Sequence, residues 1–406
     1  MQVLLLFLKK YDWSGTNGGC HPMGTRTWGG NPGAALPVAV EVLRRGPVTR
    51  AEVGRRLGLS HASLSRLSNP LIERGILLET VEERDGNVGR PSKRLDVDAS
   101  THHFMGVKIR EHEVIAAVTN LRGTVIASAH EEFRDTSPEN VVEIVARIYL
   151  RFSASLKLSG IGIGIGGCVE KQRSILSASF LNWNDVPLAA MVEVATGAPT
   201  RVENDIVALC KYEDWFGSAK SDARFAVITL GIGTGFGVVV DGTELVNDDY
   251  GVGLVGHWPM DPNGPLCHEG HRGCAAALLN SDSISRYVSE ALGRHVTFEE
   301  AIRLAEENQP AAIRIITDAA RGLGVLIAAV CNLVLPDRII IAGEGVSIAT
   351  IGKRAMIERA LSLRAKGTTL PEMTFSTGEN VHWAQGAAVL MIQAFVLGEV
   401  SGPIGS

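Results

Sequence analysis

The chain has 406 residues, 45% of them hydrophobic and 20% charged, enough to bury a large core and to divide into roughly two or three domains. A net charge of -5 excludes a protein that coats nucleic acid with its whole surface, so any DNA contact must come from a local basic patch. The longest apolar run, residues 322–335, is too short to cross a bilayer, and the VLLLFL start is followed, not preceded, by Lys9 and Lys10, which makes it a poor signal peptide. A cytoplasmic protein with reduced thiols is expected.

Residues 1–36 are rich in Gly, Thr and Asn, lack periodicity and include Met23 as an alternative start, so they are expected to form a disordered leader. Residues 37–98 read as a separate DNA-binding unit. A first amphipathic helix, PVAVEVLRRG, ends at Gly46. Thr49 caps a second, RAEVGRRLG, which Gly58 stops, and Ser60 caps HASLSRLSNPLIERG, closed by Gly75. Helix, tight turn, helix is the helix-turn-helix arrangement, with the third segment as recognition helix. Its start offers His61, Ser63, Ser65 and Arg66 to base edges, while Leu64, Leu67 and Leu71 recur at core spacing and Pro70 is expected to kink the helix. ILLETVEERDGNVGRPSKRLDVD then reads as a β-hairpin wing turning at Asp85-Gly86, with Arg90, Lys93 and Arg94 at a tip suited to phosphates or a narrow minor groove. A helical interaction module with a solvated basic loop is the alternative, but cap, turn, recognition helix and basic wing follow in the order DNA binding needs.

Residues 99–400 read as α/β in two halves. HHFMGVKI, VIAAVTNL and TVIASAH are expected strands of a meander, followed by an amphipathic helix over 138–156 and the apolar strand GIGIGIG. A second such unit starts at ARFAVITLGIGTGFGVVVDG. Its Gly-rich hairpin, Leu230 to Gly237, is equally compatible with a phosphate cradle and with a tight, closely packed turn. The loop from Gly251 to Cys274 concentrates metal-ligand types: His257, Cys267 and Cys274 supply imidazole and thiolate, and Glu269, His268 and His271 stand close enough to complete a tetrahedron. Structural zinc is expected there, the alternative being small cysteines in a polar loop.

This loop resembles the signature of the ROK family, named for repressors, open reading frames and kinases: Gly-His, a run with Gly-Pro, then Cys-x-Cys-Gly-x-x-Gly-Cys-x-Glu. Gly256-His257, Gly264-Pro265, Cys267, Gly270, Gly273 and Cys274 match, whereas Glu269 replaces the middle zinc cysteine and Ala276 a sugar-contacting Glu. The resemblance covers roughly residues 100–395. It implies an actin-like, hexokinase-like two-lobed domain with ligand in the cleft, preceded by the winged helix-turn-helix of the repressor branch. Glu203-Asn204-Asp205 matches the family's triplet whose Asn and Asp bind sugar hydroxyls, Asn182 fits another sugar-pocket position, and His257 in the family both ligates zinc and touches sugar. Family kinases place Asp-x-Gly-Gly-Thr in the first hairpin, where this chain has Lys108, Arg110, Glu111 and His112. A lysine cannot hold Mg²⁺, so phosphoryl transfer is not expected. With Leu254 and Ala276 in place of two family carboxylates, a less polar sugar derivative is expected over an unmodified hexose. The expected protein is thus a sugar-responsive repressor, a homodimer or homotetramer on two-fold symmetric operator DNA, with no membrane association. An ATP-dependent sugar kinase and an interaction scaffold are the competing readings.

Overall fold

The computed structural model describes residues 32–81, 93–247, 250–251, 253–376 and 380–397. Residues 1–31 of the expected leader, the expected wing turn at Asp85-Gly86 and Arg90 lie outside the described residues.

The first unit comprises α1 (Pro32–Arg45), β1 (Val48–Thr49), α2 (Arg50–Leu57), α3 (His61–Glu73), β2 (Leu77–Val81) and β3 (Lys93–Val97), with the strands ordered β1-β3-β2. Helix α1 starts at Pro32 and not at Pro37: Pro32 suits a first helical turn, and Ala35 and Leu36 have a core to pack against. Thr49 caps α2 in a full capping box, accepting from the Glu52 N–H at 3.2 Å while the Glu52 carboxylate accepts from the Thr49 N–H at 3.0 Å. Helix α3 continues through Pro70, which is exposed.

Two lobes of matching topology follow. The first contains β4 (His103–Ile109), β5 (Glu113–Asn120), β6 (Val125–Glu132), α4 (Pro138–Ser153), β7 (Leu158–Ile165), the small antiparallel sheet of β8 (Cys168–Glu170), β9 (Ser174–Ala178) and β10 (Trp183–Val186), then α5 (Leu188–Thr196), β11 (Thr200–Asn204) and α6 (Asp205–Trp215). The second contains β12 (Arg224–Leu230), β13 (Thr234–Val240), β14 (Thr243–Glu244), α7 (Ala275–Leu279), α8 (Ser281–Leu292), α9 (Phe298–Glu306), α10 (Pro310–Leu333), β15 (Arg338–Ala342), α11 (Val346–Ile351), α12 (Lys353–Ser362) and β16 (Glu372–Phe375). The main sheets run β6-β5-β4-β7-β11 and β14-β13-β12-β15-β16, an antiparallel meander extended in each by parallel crossover strands. This duplication is the architecture the two expected meanders imply. The last helix, α13 (Asn380–Val396), returns to pack on β4, β5 and β7. The glycine repeat of β7 exists for that contact: a Cβ on Gly162 would lie 1.8 Å from the Ala387 carbonyl oxygen. Among the described residues no helix is long and apolar enough to cross a membrane.

The winged-helix unit does not pack as a separate body. Its buried Val38, Leu43, Leu64 and Leu95 share one hydrophobic cluster with Phe104, Trp215, Ile392 and Phe395 of the following domain. Polar ties reinforce the contact: Arg122 donates to the Gly46 carbonyl at 3.0 Å and pairs with Asp96.

Candidate functional site

A cleft of about 870 Å³ is lined from both lobes by Lys108, Asn204, Asp205, Thr234, His257 and Trp383, among others, within the range of small-molecule sites. Strand β11 delivers Asn204 and Asp205 to it, because Asn204 ends the strand and caps α6. The Asn204 amide is largely spent on structure. Its oxygen accepts from the Ile206 and Val207 N–H groups at 2.9 and 3.4 Å, and its nitrogen donates to the Gly167 carbonyl at 3.0 Å. Glu203 faces away, accepting from Gln172 at 3.1 Å and from the Asn204 N–H at 2.9 Å, and burial pushes its carboxyl above the ordinary range against those bonds.

The departure at the first hairpin has a definite structural consequence. Lys108, only 8% exposed at the end of β4, forms an ion pair with Asp205 and holds its ammonium 5.2 Å from the centre of the Trp383 ring. The Asp205 carboxylate, which the resemblance assigns to sugar hydroxyls, is thus neutralised by the residue standing where the family kinases have the Asp of their first hairpin. Beside it, Arg110 bonds to Glu113 at 2.9 Å and, across the cleft, to Glu344 at 2.6 Å, while Ser281 donates to the same Glu344 carboxylate at 3.0 Å. Glu344 lies against Gly231 of the Gly-rich hairpin, so a carboxylate occupies the surroundings where a phosphate cradle would need cations. Glu111 also lines the cleft.

Asn182 takes the left-handed conformation, φ 55°, as the cap of a short 3-10 turn, and its side chain is exposed. From this stretch Ser179 and Phe180 line the cleft. Trp183 is fixed beneath by burial and by donation from its indole N–H to the Thr136 carbonyl at 2.7 Å.

The metal-type loop folds back on itself through bridges between Pro259 and Cys274 and between Leu266 and Arg272. Gly273, at φ 57°, allows this: a Cβ there would meet the Asp261 carbonyl oxygen at 1.7 Å. The turn closes with the Cys267 N–H donating to the His271 carbonyl at 2.9 Å, which sets those two side chains together. His257 Nδ1 lies 3.1 Å from His271 Nδ1 and 3.7 Å from Cys267 Sγ, and ligand atoms of the three residues fall within 4.8 Å of one another. These three side chains form a group that can hold a metal ion. Cys274 is buried against Cys267, whereas Glu269 turns outward, 3.7 Å from His268. Burial, then the neighbouring His271 and His268, lower the His257 pKa and favour the neutral imidazole a metal needs. Burial raises the Cys267 thiol, but bonds from the Cys274 thiol and the Glu269 and His271 backbone outweigh it and bring it below the ordinary value.

On the winged-helix unit, Ser60 caps α3 through the Ser63 N–H at 3.2 Å, His61 and Arg66 are exposed, and Ser63 and Ser65 are half-buried. Asn69, which sequence reasoning passed over, is exposed one helical turn beyond Arg66 and extends the same face. Lys93 and Arg94 lie within β3 and not at the wing tip: Lys93 pairs with Glu79 at 2.8 Å, and Arg94 is half-buried between Thr49 and Thr80 on the flanking strands. Arg50 ties α3 to β2 through Ser68 at 2.5 Å and Glu79.

Helix α6 joins the two regions. Its N-terminus presents Asn204 and Asp205 to the cleft, and about 16 Å away its other end reaches the winged-helix unit. There the Arg44 guanidinium, at the end of α1, bonds to the Asp214 carboxylate at 3.0 Å, the Asp214 carbonyl at 2.9 Å and the Lys220 carbonyl at 2.6 Å. Burial pushes the Asp214 carboxyl up, and Arg44 opposes this. No short-range motif signals Arg44, and the hairpin motif that singles out Lys108 does not reveal its partner, since each meets its partner only through the tertiary fold.

Comparison with known proteins agrees with these features. The xylose repressor of Bacillus spizizenii is 24% identical over 306 residues, covering 74% of this chain and 79% of that protein. The crystal structure of a ROK family transcriptional regulator, homologous to the E. coli Mlc protein, matches with a TM-score of 0.78 and 24% identity over 90% of this chain and 96% of that one. A ROK family glucokinase from Streptomyces griseus, solved with glucose and AMPPNP, matches 71% of this chain and 98% of its own with a TM-score of 0.62 and 22% identity. The ROK family profile itself matches residues 104–394, most of the chain, and the protein therefore belongs to the ROK family.

Proposed function

We propose that this protein is a DNA-binding transcriptional repressor whose operator affinity is set by a sugar or sugar derivative held in the cleft, and that it is not a sugar kinase. Helix α6 carries this reading: one end forms the polar floor of the cleft and the other is bonded to the unit that bears the recognition helix. Closing the lobes on a ligand displaces the start of α6, and the Arg44–Asp214 contact passes the displacement to the DNA reader. His61, Ser63, Ser65, Arg66 and Asn69 are proposed as the base-reading face, with Lys93 and Arg94 of β3 as phosphate contacts. A single recognition helix reads too few bases for useful specificity, so a dimer or pair of dimers on a two-fold symmetric site is proposed.

The polar groups offered to sugar are Asp205 with its Lys108 partner, the remaining Asn204 N–H and His257, and Asn182, two residues beyond the cleft-lining Phe180, is proposed to join them. Zinc is proposed on the His257, Cys267 and His271 group, with Cys274, packed against Cys267, as the fourth donor, and it would fix the loop that brings His257 to the cleft. Against catalysis stand the ion-paired Asp205, the lysine in place of a magnesium ligand and the Glu344 carboxylate at the Gly-rich turn. The test is selection of operator fragments from genomic DNA by the purified chain, followed by binding with and without a sugar panel, and an ATP-coupled assay on the same panel. Selective, sugar-sensitive DNA binding without phosphorylation supports the reading. Turnover at about one per second, or DNA binding indifferent to sequence, refutes it.

A further inference from the structure

The cleft has a polar floor and an apolar wall. Asp205 and Lys108 form a charge-balanced acceptor and donor pair at one side. Ile232, Leu245, Val246 and Leu254, large hydrophobic side chains left 52, 56, 54 and 63% exposed, all line the same cleft. Three of these belong to the segment between β14 and His257, and Phe180 and Phe236 line the cleft as well. Exposed aliphatic side chains inside a concave site leave water there that an apolar group displaces favourably. Elsewhere in the cleft the demand for charge is already met: Arg110 is occupied by Glu113 and Glu344, and Lys108 by Asp205. A ligand that is polar throughout leaves the apolar wall wet, and a phosphorylated one meets Glu344 without an unengaged cation beside it in Lys108 or Arg110.

We propose that the ligand is an amphipathic glycoside, a sugar ring on Asp205, Lys108 and His257 bearing an alkyl, acyl or aryl substituent that lies along Leu245, Val246 and Leu254. The proposal rests on the sugar-binding reading and narrows it from sugars in general to those carrying an apolar group. The cleft's volume of about 870 Å³ accommodates both parts.

Isothermal titration of the full chain with n-alkyl glucosides and n-alkyl xylosides, methyl through octyl and below their micelle concentrations, tests it. In at least one series affinity rises two- to fourfold per added methylene up to butyl or beyond, fourfold being about the limit for a fully buried methylene. Leu254→Glu, a substitution at an exposed position that leaves the thermal melt unchanged, flattens that series to less than about twofold overall, each series being referred to its own methyl glycoside. Methyl and octyl glycosides binding alike overturns the amphipathic assignment and leaves the sugar reading standing. A steep series that survives Leu254→Glu together with Leu245→Ser and Val246→Ser overturns the assigned wall. An octyl chain on an oligoethylene glycol head that binds as tightly as octyl glucoside overturns the proposal, because the ring then contributes nothing. Failure of every sugar and glycoside to bind at millimolar concentration removes both readings together.

Discussion

Replacing Arg44 with Ala removes the polar contact through which α6 meets the winged-helix unit. The arginine makes three bonds there, one to a carboxylate whose side chain is 5% exposed, while its own side chain is 21% exposed. Leaving a buried carboxylate without its partner costs about 3–5 kcal/mol when the pair is fully enclosed. The partial exposure of Arg44 and the ability of Asp214 to take up a proton reduce this to about 2–3 kcal/mol. The shared apolar cluster of Leu43, Trp215 and Phe395 remains, so the chain still folds and binds DNA. Urea unfolding measures the stability loss. Fluorescence anisotropy on operator DNA, with and without a cleft ligand, measures the coupling. If the ligand changes wild-type operator affinity tenfold, about 1.4 kcal/mol, Arg44→Ala reduces the change to about twofold or less with ligand affinity nearly intact, and Arg44→Lys, which can satisfy part of the contact, is intermediate. Stability within about 0.5 kcal/mol of wild type together with a full ligand response refutes the reasoning, since the contact then neither stabilises nor transmits.

Arg66→Ala relaxes base preference at one position of each half-site and costs about 1–3 kcal/mol on the selected sequence; equal losses on every sequence contradict base reading by that residue. Chelator-free protein contains about one zinc per chain, and cobalt substitution gives a charge-transfer band that weakens in Cys267→Ser and in Cys274→Ser, while His271→Ala loses metal and Glu269→Ala does not; the opposite pattern for the last pair assigns the fourth ligand to Glu269. Burial raises the folded pKa of Asp214 above its unfolded value of about 3.9, so its contribution to stability is complete below that pH and is lost as pH rises through the folded value. Asp214→Asn therefore shows a flatter stability profile above about pH 4 than wild type, and an unchanged profile contradicts the assignment.

Much of the architecture is legible locally because local chemistry fixes it. Thr49 and Glu52 at capping-box spacing, Gly58 at φ 65° and the repeated meander with its Gly-rich strand all place elements where the structure has them. The reason for the glycines of β7 is not local: Gly162 accommodates Ala387, from a helix more than 200 residues later in the chain. Site chemistry follows the same division. The Glu203-Asn204-Asp205 triplet is visible as a polar cluster, yet its partition is set by tertiary contacts, with Glu203 turned inward, Asn204 consumed as a cap and Asp205 paired with Lys108 across 97 residues. In the metal-type loop composition left Glu269 and His271 equivalent. Closure of the Cys267–His271 turn sets the histidine, though exposed, 3.1 Å from His257, while the Glu269 carboxylate lies beside His268 instead. A sharp boundary near residue 98 follows from pattern alone, but the apolar faces of α1 and α13 complete one core, which only the fold reveals.

The central claim, that the cleft controls the DNA reader, is tested most directly by reciprocal titration: operator affinity of the full chain at saturating cleft ligand, and ligand affinity at saturating operator. The account predicts a change of about tenfold or more in operator affinity and, by linkage, the same factor in ligand affinity, both abolished in Asp205→Asn. A ligand that binds the cleft tightly and leaves operator affinity unchanged contradicts it.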